Sequence, residues 1–136
     1  MPDRHFTLAE ARAALEELRP VAERMVELHT ALAAAVGRLR ELRAKVAGNG
    51  GGLDRRALSR ADAEAEQLTA AVEACVARIQ DAGAQVKDPA LGLLDFPSLR
   101  RGREILLCWH VGEAELAFWH GLDEGYAGRK PVDPVE

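Results

Sequence analysis

Aromatic residues are scarce: two Trp, one Tyr and three Phe among 136 residues, about 4% of the chain. All of them except Phe6 lie beyond residue 95. The part before that must therefore build its core from Leu, Val and Ala, a composition that suits helices packed at close range. Cysteine is scarcer still. Cys75 and Cys108 form no Cys-x-x-Cys pair and no disulfide framework of the kind that staples small secreted domains, so a reducing, cytoplasmic setting is expected. No run approaches the roughly 18 apolar residues that span a bilayer. The opening MPDRHFTL lacks the apolar stretch of a secretory leader. Gly48-Asn49-Gly50-Gly51-Gly52 has no Lys-Ser/Thr after it and no strand before it, which excludes a phosphate-binding loop and leaves a linker. Ser59 and Ser98 sit in no nucleophile elbow, so serine hydrolase chemistry has no support.

What is present is a folded chain's composition, 48% hydrophobic and 29% charged, in a length that fits one domain. Thr7 followed by Glu10 is a capping box, and Phe6 before it is a staple residue. A short helix is expected from Leu8, burying Leu8, Ala11, Leu15 and Leu18, with a break or kink near Arg19 because Pro20 clashes inside a helix. From Val21 the apolar residues Met25, Leu28, Leu32, Ala35, Leu39, Leu42 and Val46 step by alternating fours and threes, a heptad seam that the glycine stretch ends. A second seam runs through Leu58, Ala61, Ala65, Leu68, Val72, Cys75, Ile79 and Ala82 to Gly83. Two equal seams joined by a glycine loop predict an antiparallel coiled-coil hairpin with arms of roughly 40 Å.

Beyond Gly83 the period falls to two. Glu104–Val111 and Ala114–His120 read as strands joined by a tight turn at Gly112-Glu113. That register sets His110 opposite Glu115 and Trp109 opposite Leu116. Ile105, Leu107, Trp109 and Phe118 then share an apolar face that His120 ends, while Leu106, Cys108, His110, Glu115 and Trp119 share a mixed one. Residues 92–96 offer a third strand beside Ile105. The fold class expected is mainly α: a long antiparallel coiled-coil helical hairpin with a short N-terminal helix and a small C-terminal antiparallel sheet. It forms one domain, with residues 8–83 helical, 84–125 a β-rich cap and 126–136 an extended tail.

The wording of this second part resembles that of a small bacterial family, the domain of unknown function 2203. The likeness is carried by Val86-Lys87-Asp88, Gly92-Leu93-Leu94-Asp95-Phe96-Pro97, Leu107-Cys108-Trp109, Gly112-Glu113, Phe118-Trp119-His120 and Gly125-Tyr126-Ala127-Gly128-Arg129, with Phe6-Thr7-Leu8 at the start. The resemblance implies a cytoplasmic helical domain with a short sheet and implies no activity. The family pattern has arginine where this chain has His110, which weakens any scheme resting on that histidine.

Two clusters carry chemistry. Cys108, His110 and Glu115 on one face offer thiolate, imidazole and carboxylate for zinc or for a nucleophilic triad; the plainer account is one polar cross-strand pair beside a half-buried cysteine. His120 lies near Asp95 if the third strand pairs as expected, and Asp123 follows in the next loop, so His120, Asp95 and Asp123 form a candidate divalent-metal set. The plainer account there is a hydrogen-bonded network at the edge of the core. Glu113 lies too far along the strand from His120 to join that site.

Charge is uneven as well. Between Arg38 and Arg60 seven basic residues face only Glu41 and Asp54, although the chain carries −4 overall. An antiparallel hairpin gathers them at one tip, where Arg43, Arg55 and Arg56 are candidates for contact with an acidic protein partner. Trp119 is a further partner-contact candidate. The acidic balance and the lack of a recognition motif disfavour nucleic acid. No pattern specifies a reaction. The function expected is that of a non-catalytic interaction or scaffold protein, homodimeric through its helices. The alternative is a small metal- or ligand-binding protein, or an enzyme, with its site around His120.

Overall fold

The computed structural model describes residues 4–49 and 52–132, with only the backbone for residues 49 and 52–54. Helix α1 spans Leu8–Asn49 and α2 spans Gly52–Asp81; five strands follow, β1 Gln85–Asp88, β2 Leu93–Arg100, β3 Arg103–Trp109, β4 Phe118–Gly121 and β5 Lys130–Pro131. The expected glycine linker lies partly outside the described residues.

The capping box forms. The Thr7 amide donates to Glu10 Oε1 at 2.9 Å and the Glu10 amide to Thr7 Oγ1 at 3.0 Å. Phe6 does more than staple the helix: it is buried, meets Phe96 edge-to-face at 5.3 Å, and its amide donates to the Pro97 carbonyl. From there α1 runs unbroken through Pro20, so the expected short first helix is not a separate element. Proline removes one hydrogen bond to the Glu16 carbonyl, a loss on the order of 3 kcal/mol in a helix interior. Set against it, Ala11, Leu15 and Leu18 before Pro20 and Ala22, Met25 and Leu28 after it all lie on one buried face. A break at Pro20 would pull half of that face off the core, which costs more than the missing bond.

Helix α2 runs back along α1, since Arg38 pairs with Glu64 and Arg43 with Asp62. Its lower half contributes Val72 and Ile79 to the main core. Farther out the two helices are held by a smaller cluster, Ala35, Leu39 and Ala65, flanked by half-buried Leu32, Leu58, Ala61 and Leu68.

The sheet is an antiparallel meander in the order β1-β2-β3-β4-β5. Its helix-facing side presents Leu94, Phe96, Ile105, Leu107 and Trp109 to α1 and α2. The tight turn falls at Arg101-Gly102, not at Gly112-Glu113. Arg100 pairs with Arg103, and the two residues between have φ of 53° and 79°, both left-handed, as a two-residue hairpin of matching twist requires. Gly92, at φ +64°, lets the chain pass close to the β3–β4 loop and to α1, because a Cβ there would lie 2.3 Å from Val111 Cγ2 and 2.9 Å from Val26 Cγ2.

Between β3 and β4 the register differs from the expected one by a residue. Cys108 opposes Phe118, Leu107 opposes Trp119 and Leu106 opposes His120. In place of a tight turn, residues 110–117 form a loop held on Glu113. Its carboxylate accepts from the His110 amide at 3.0 Å, and its carbonyl accepts from Trp109 Nε1 at 3.0 Å and Arg19 Nη1 at 3.1 Å. Leu116 folds back into the core, and Arg12 donates to its carbonyl. Because side chains alternate along a strand, one step of register exchanges the faces. Phe118 and His120 therefore share the outer face with Leu106 and Cys108, and Trp119 joins Leu107 on the helix side. Beyond Gly125 the chain is more than an extended tail: a 3-10 turn at Tyr126–Gly128 leads into β5, which pairs Lys130 with Trp119.

Candidate functional site

Asp95 on β2, Cys108 on β3 and His120 on β4 come from three adjacent strands and point to the outer face. Asp95 and Cys108 are direct cross-strand partners, and His120 pairs with the residue two before Cys108. Their ligating atoms lie within 4.8 Å of one another. Relative exposures are 2% for Asp95, 0% for Cys108 and 3% for His120.

His120 Nε2 is 3.2 Å from both carboxylate oxygens of Asp95, and His120 Nδ1 is 2.8 Å from the Gly121 carbonyl. Both ring nitrogens thus face acceptors, a carbonyl at Nδ1 and a carboxylate at Nε2, and Nε2 is the one turned to the cluster.

The turn after Gly125 covers this face. Arg129 lies 4.0 Å above the Phe118 ring and 4.5 Å from that of Tyr126; its Nη1 is 3.8 Å from Cys108 Sγ, and it grips Glu113 in a two-pronged pair at 3.0 and 2.5 Å. His110 packs beside Tyr126 with ring centres 5.8 Å apart. Loss of water pushes the Cys108 thiol up to about 11, against the pull of the Arg129 hydrogen bond and with the added repulsion of Asp95. On its own this cysteine is a thiol near neutral pH and not a ready nucleophile. Burial also pushes Glu113 upward, but the hydrogen bonds from Arg129 and the His110 amide prevail and hold its carboxyl below the usual range. Arg129 is correspondingly held more firmly protonated by Glu113.

The candidate metal set is thus rearranged. Asp95 and His120 meet, while Asp123 is exposed in the loop and outside the group, its place taken by Cys108. The alternative grouping of Cys108, His110 and Glu115 does not assemble: His110 turns to Val111 and Glu113, and Glu115 is exposed. Glu113, thought too distant, reaches the cluster through Arg129, because residues 110–117 are a folded loop and not extended strand. The register shift would have been legible only from the length of that loop.

Trp119 is half-buried on the helix-facing side, between Arg100 at 4.8 Å and Lys130 at 4.5 Å, and lines a groove of about 350 Å³ with Leu8, Leu99 and Val132. At the other end of the molecule Arg55 and Arg56 are exposed, and Arg43 reaches Asp62 at 3.7 Å. Asp62 and Glu64 thereby offset part of the basic excess.

The molecule so defined is a two-helix arm on a five-stranded meander, with a buried Asp-Cys-His group under its outer turn. The chain belongs to the family described as uncharacterized conserved protein DUF2203, whose model matches residues 4–132. No curated protein and no solved structure matches the chain. Among the described residues no helix is long and apolar enough to cross a membrane.

Proposed function

We propose that this is a non-catalytic interaction protein that self-associates through its helices into a homodimer, with each helical pair wound as an antiparallel coiled coil. The observation that carries the proposal is the unequal cover of the helices. The sheet packs on the first half of α1 and the second half of α2, whereas among the described residues the buried core of the outer arm is the Ala35, Leu39 and Ala65 cluster. A two-helix arm with so thin a core is marginal in water, and a second helical pair is its natural cover.

Charge favours one arrangement. Glu10, Glu16, Glu17, Glu23 and Glu27 of α1 and Glu73 and Asp81 of α2 are exposed on the sheet-bearing half, against Arg12, Arg24 and Arg78. Arg40, Lys45, Arg55, Arg56 and Arg60 are exposed on the outer arm. Two copies laid antiparallel place each cationic arm along the other's acidic half, and a two-fold axis makes the match twice. A cytoplasmic setting belongs to the same proposal, supported by two cysteines that are both free thiols.

The test replaces Arg43, Arg55 and Arg56 with Ser and measures self-association at low and high salt. The triple variant is expected to associate more weakly and with a flatter salt dependence. An unchanged dissociation constant at both salts counts against the arrangement. Loss of an acidic protein captured by the wild type, with self-association unchanged, would assign the tip to that partner instead.

A second proposal has its own observation. Burying an aspartate, a cysteine and a histidine together is poor value as a stabilising device, since taking charges out of water offsets their attraction. That favours a small metal- or ligand-binding protein with its site around His120, and an enzyme if the site acts on what it binds.

A further inference from the structure

We propose that Asp95, Cys108 and His120 are the three protein ligands of one divalent transition-metal ion of the zinc class. This deepens the second proposal above by naming the donor set and the ion that fits it.

The geometry requires little adjustment. With bonds of about 2.0–2.1 Å to nitrogen and oxygen, two ligands of a tetrahedral zinc stand roughly 3.3 Å apart. His120 Nε2 and the Asp95 oxygens are already 3.2 Å apart. Cys108 is the direct cross-strand partner of Asp95, and its Sγ completes a triangle in which no donor-to-donor distance exceeds 4.8 Å.

The histidine is set for the task. Its Nδ1 is committed to the Gly121 carbonyl at 2.8 Å, which fixes the ring and presents Nε2 inward. Metal-ligating histidines are held in this way, the distal nitrogen donating to a carbonyl or carboxylate.

Charge also balances. Thiolate and carboxylate together neutralise a divalent ion, while Arg129 and Glu113 close beside them neutralise each other. Arg129 Nη1, 3.8 Å from Sγ, is placed to donate to a metal-bound thiolate and temper its charge. His120 Nε2 sits 3.2 Å from both Asp95 oxygens, and Cys108 is the cross-strand partner of Asp95. The buried carboxylate thus faces two groups that could share the same ion. Sulfur and imidazole donors select zinc, cobalt or iron over magnesium and calcium, which take oxygen ligands.

Cobalt(II) is the probe, because thiolate ligation gives it an intense charge-transfer absorption in the near ultraviolet. The Cys75→Ser protein keeps Cys108 as its single cysteine without disturbing the buried cluster. Titrated with cobalt, it is expected to saturate at one ion per chain with the thiolate band, and zinc is expected to displace the cobalt and erase the band. Cys108→Ser, checked for fold by circular dichroism, should lose the band and bind cobalt at least about tenfold more weakly; Asp123→Asn should change neither. Saturable uptake by the Cys75→Ser protein with no thiolate band would overturn this donor set and leave a site at His120 standing. No saturable uptake of cobalt or zinc would overturn both.

Discussion

His120 and Asp95 form a buried pair across two strands of the sheet, with Nε2 3.2 Å from each carboxylate oxygen and exposures of 3% and 2%. They lie 25 positions apart in the chain and meet because β3 runs between their strands, pairing Asp95 with Cys108 on one side and His120 with Leu106 on the other.

In the metal-free protein, His120→Ala should lower stability by about 3–5 kcal/mol, because it leaves Asp95 buried without its partner. His120→Ala combined with Asp95→Asn should recover part of that loss. Urea unfolding of the two variants and the wild type measures this directly. A loss under about 1 kcal/mol for His120→Ala would mean that the pair is not desolvated as described.

Pro20 lies exposed inside a continuous helix, opposite a face that is buried on both sides of it. Pro20→Ala restores a backbone donor to Glu16 and should stabilise the protein by about 1–3 kcal/mol with no change in fold. A neutral or negative effect in urea unfolding would place a true break at this position.

Glu113 ties the β3–β4 loop to Arg129. Burial alone would raise its carboxyl, yet the hydrogen bonds from Arg129 and the His110 amide hold it below 4.5 in the folded state. A carboxyl with a lowered folded value contributes stability that is fully present above its unfolded value and is lost as pH falls through the folded one. Stability should therefore decline below about pH 4.5, and Glu113→Gln should show a shallower decline over that window. Superimposable pH profiles for the two proteins would mean that the Arg129 pair adds no pH-dependent stability.

Much of the fold is legible in the sequence, and the misreadings have particular causes. The Thr7–Glu10 cap, the apolar faces of both helices and the strand at Leu93 follow from spacing alone. Pro20 misleads because a local penalty is weighed without the shared face of Leu15, Leu18, Ala22 and Met25. Gly112-Glu113 looks like a tight turn, but Glu113 uses its carboxylate and carbonyl to hold a wider loop. The turn that is tight has Arg101 in a left-handed conformation that arginine rarely adopts. From a single step of register between β3 and β4 follows the misplacement of Phe118, Trp119 and His120. The proximity of Asp95 and His120 is foreseen; that Cys108 joins them, with Asp123 outside, is not.

The central claim is that the helical arms pair between copies of the chain, and sedimentation equilibrium of the untagged protein at micromolar concentration and moderate salt tests it most directly. The account predicts a mass twice that of the chain, falling toward the single-chain value as salt rises and the Arg- and Glu-bearing halves are screened from each other. A single-chain mass throughout the micromolar range at low salt would contradict it.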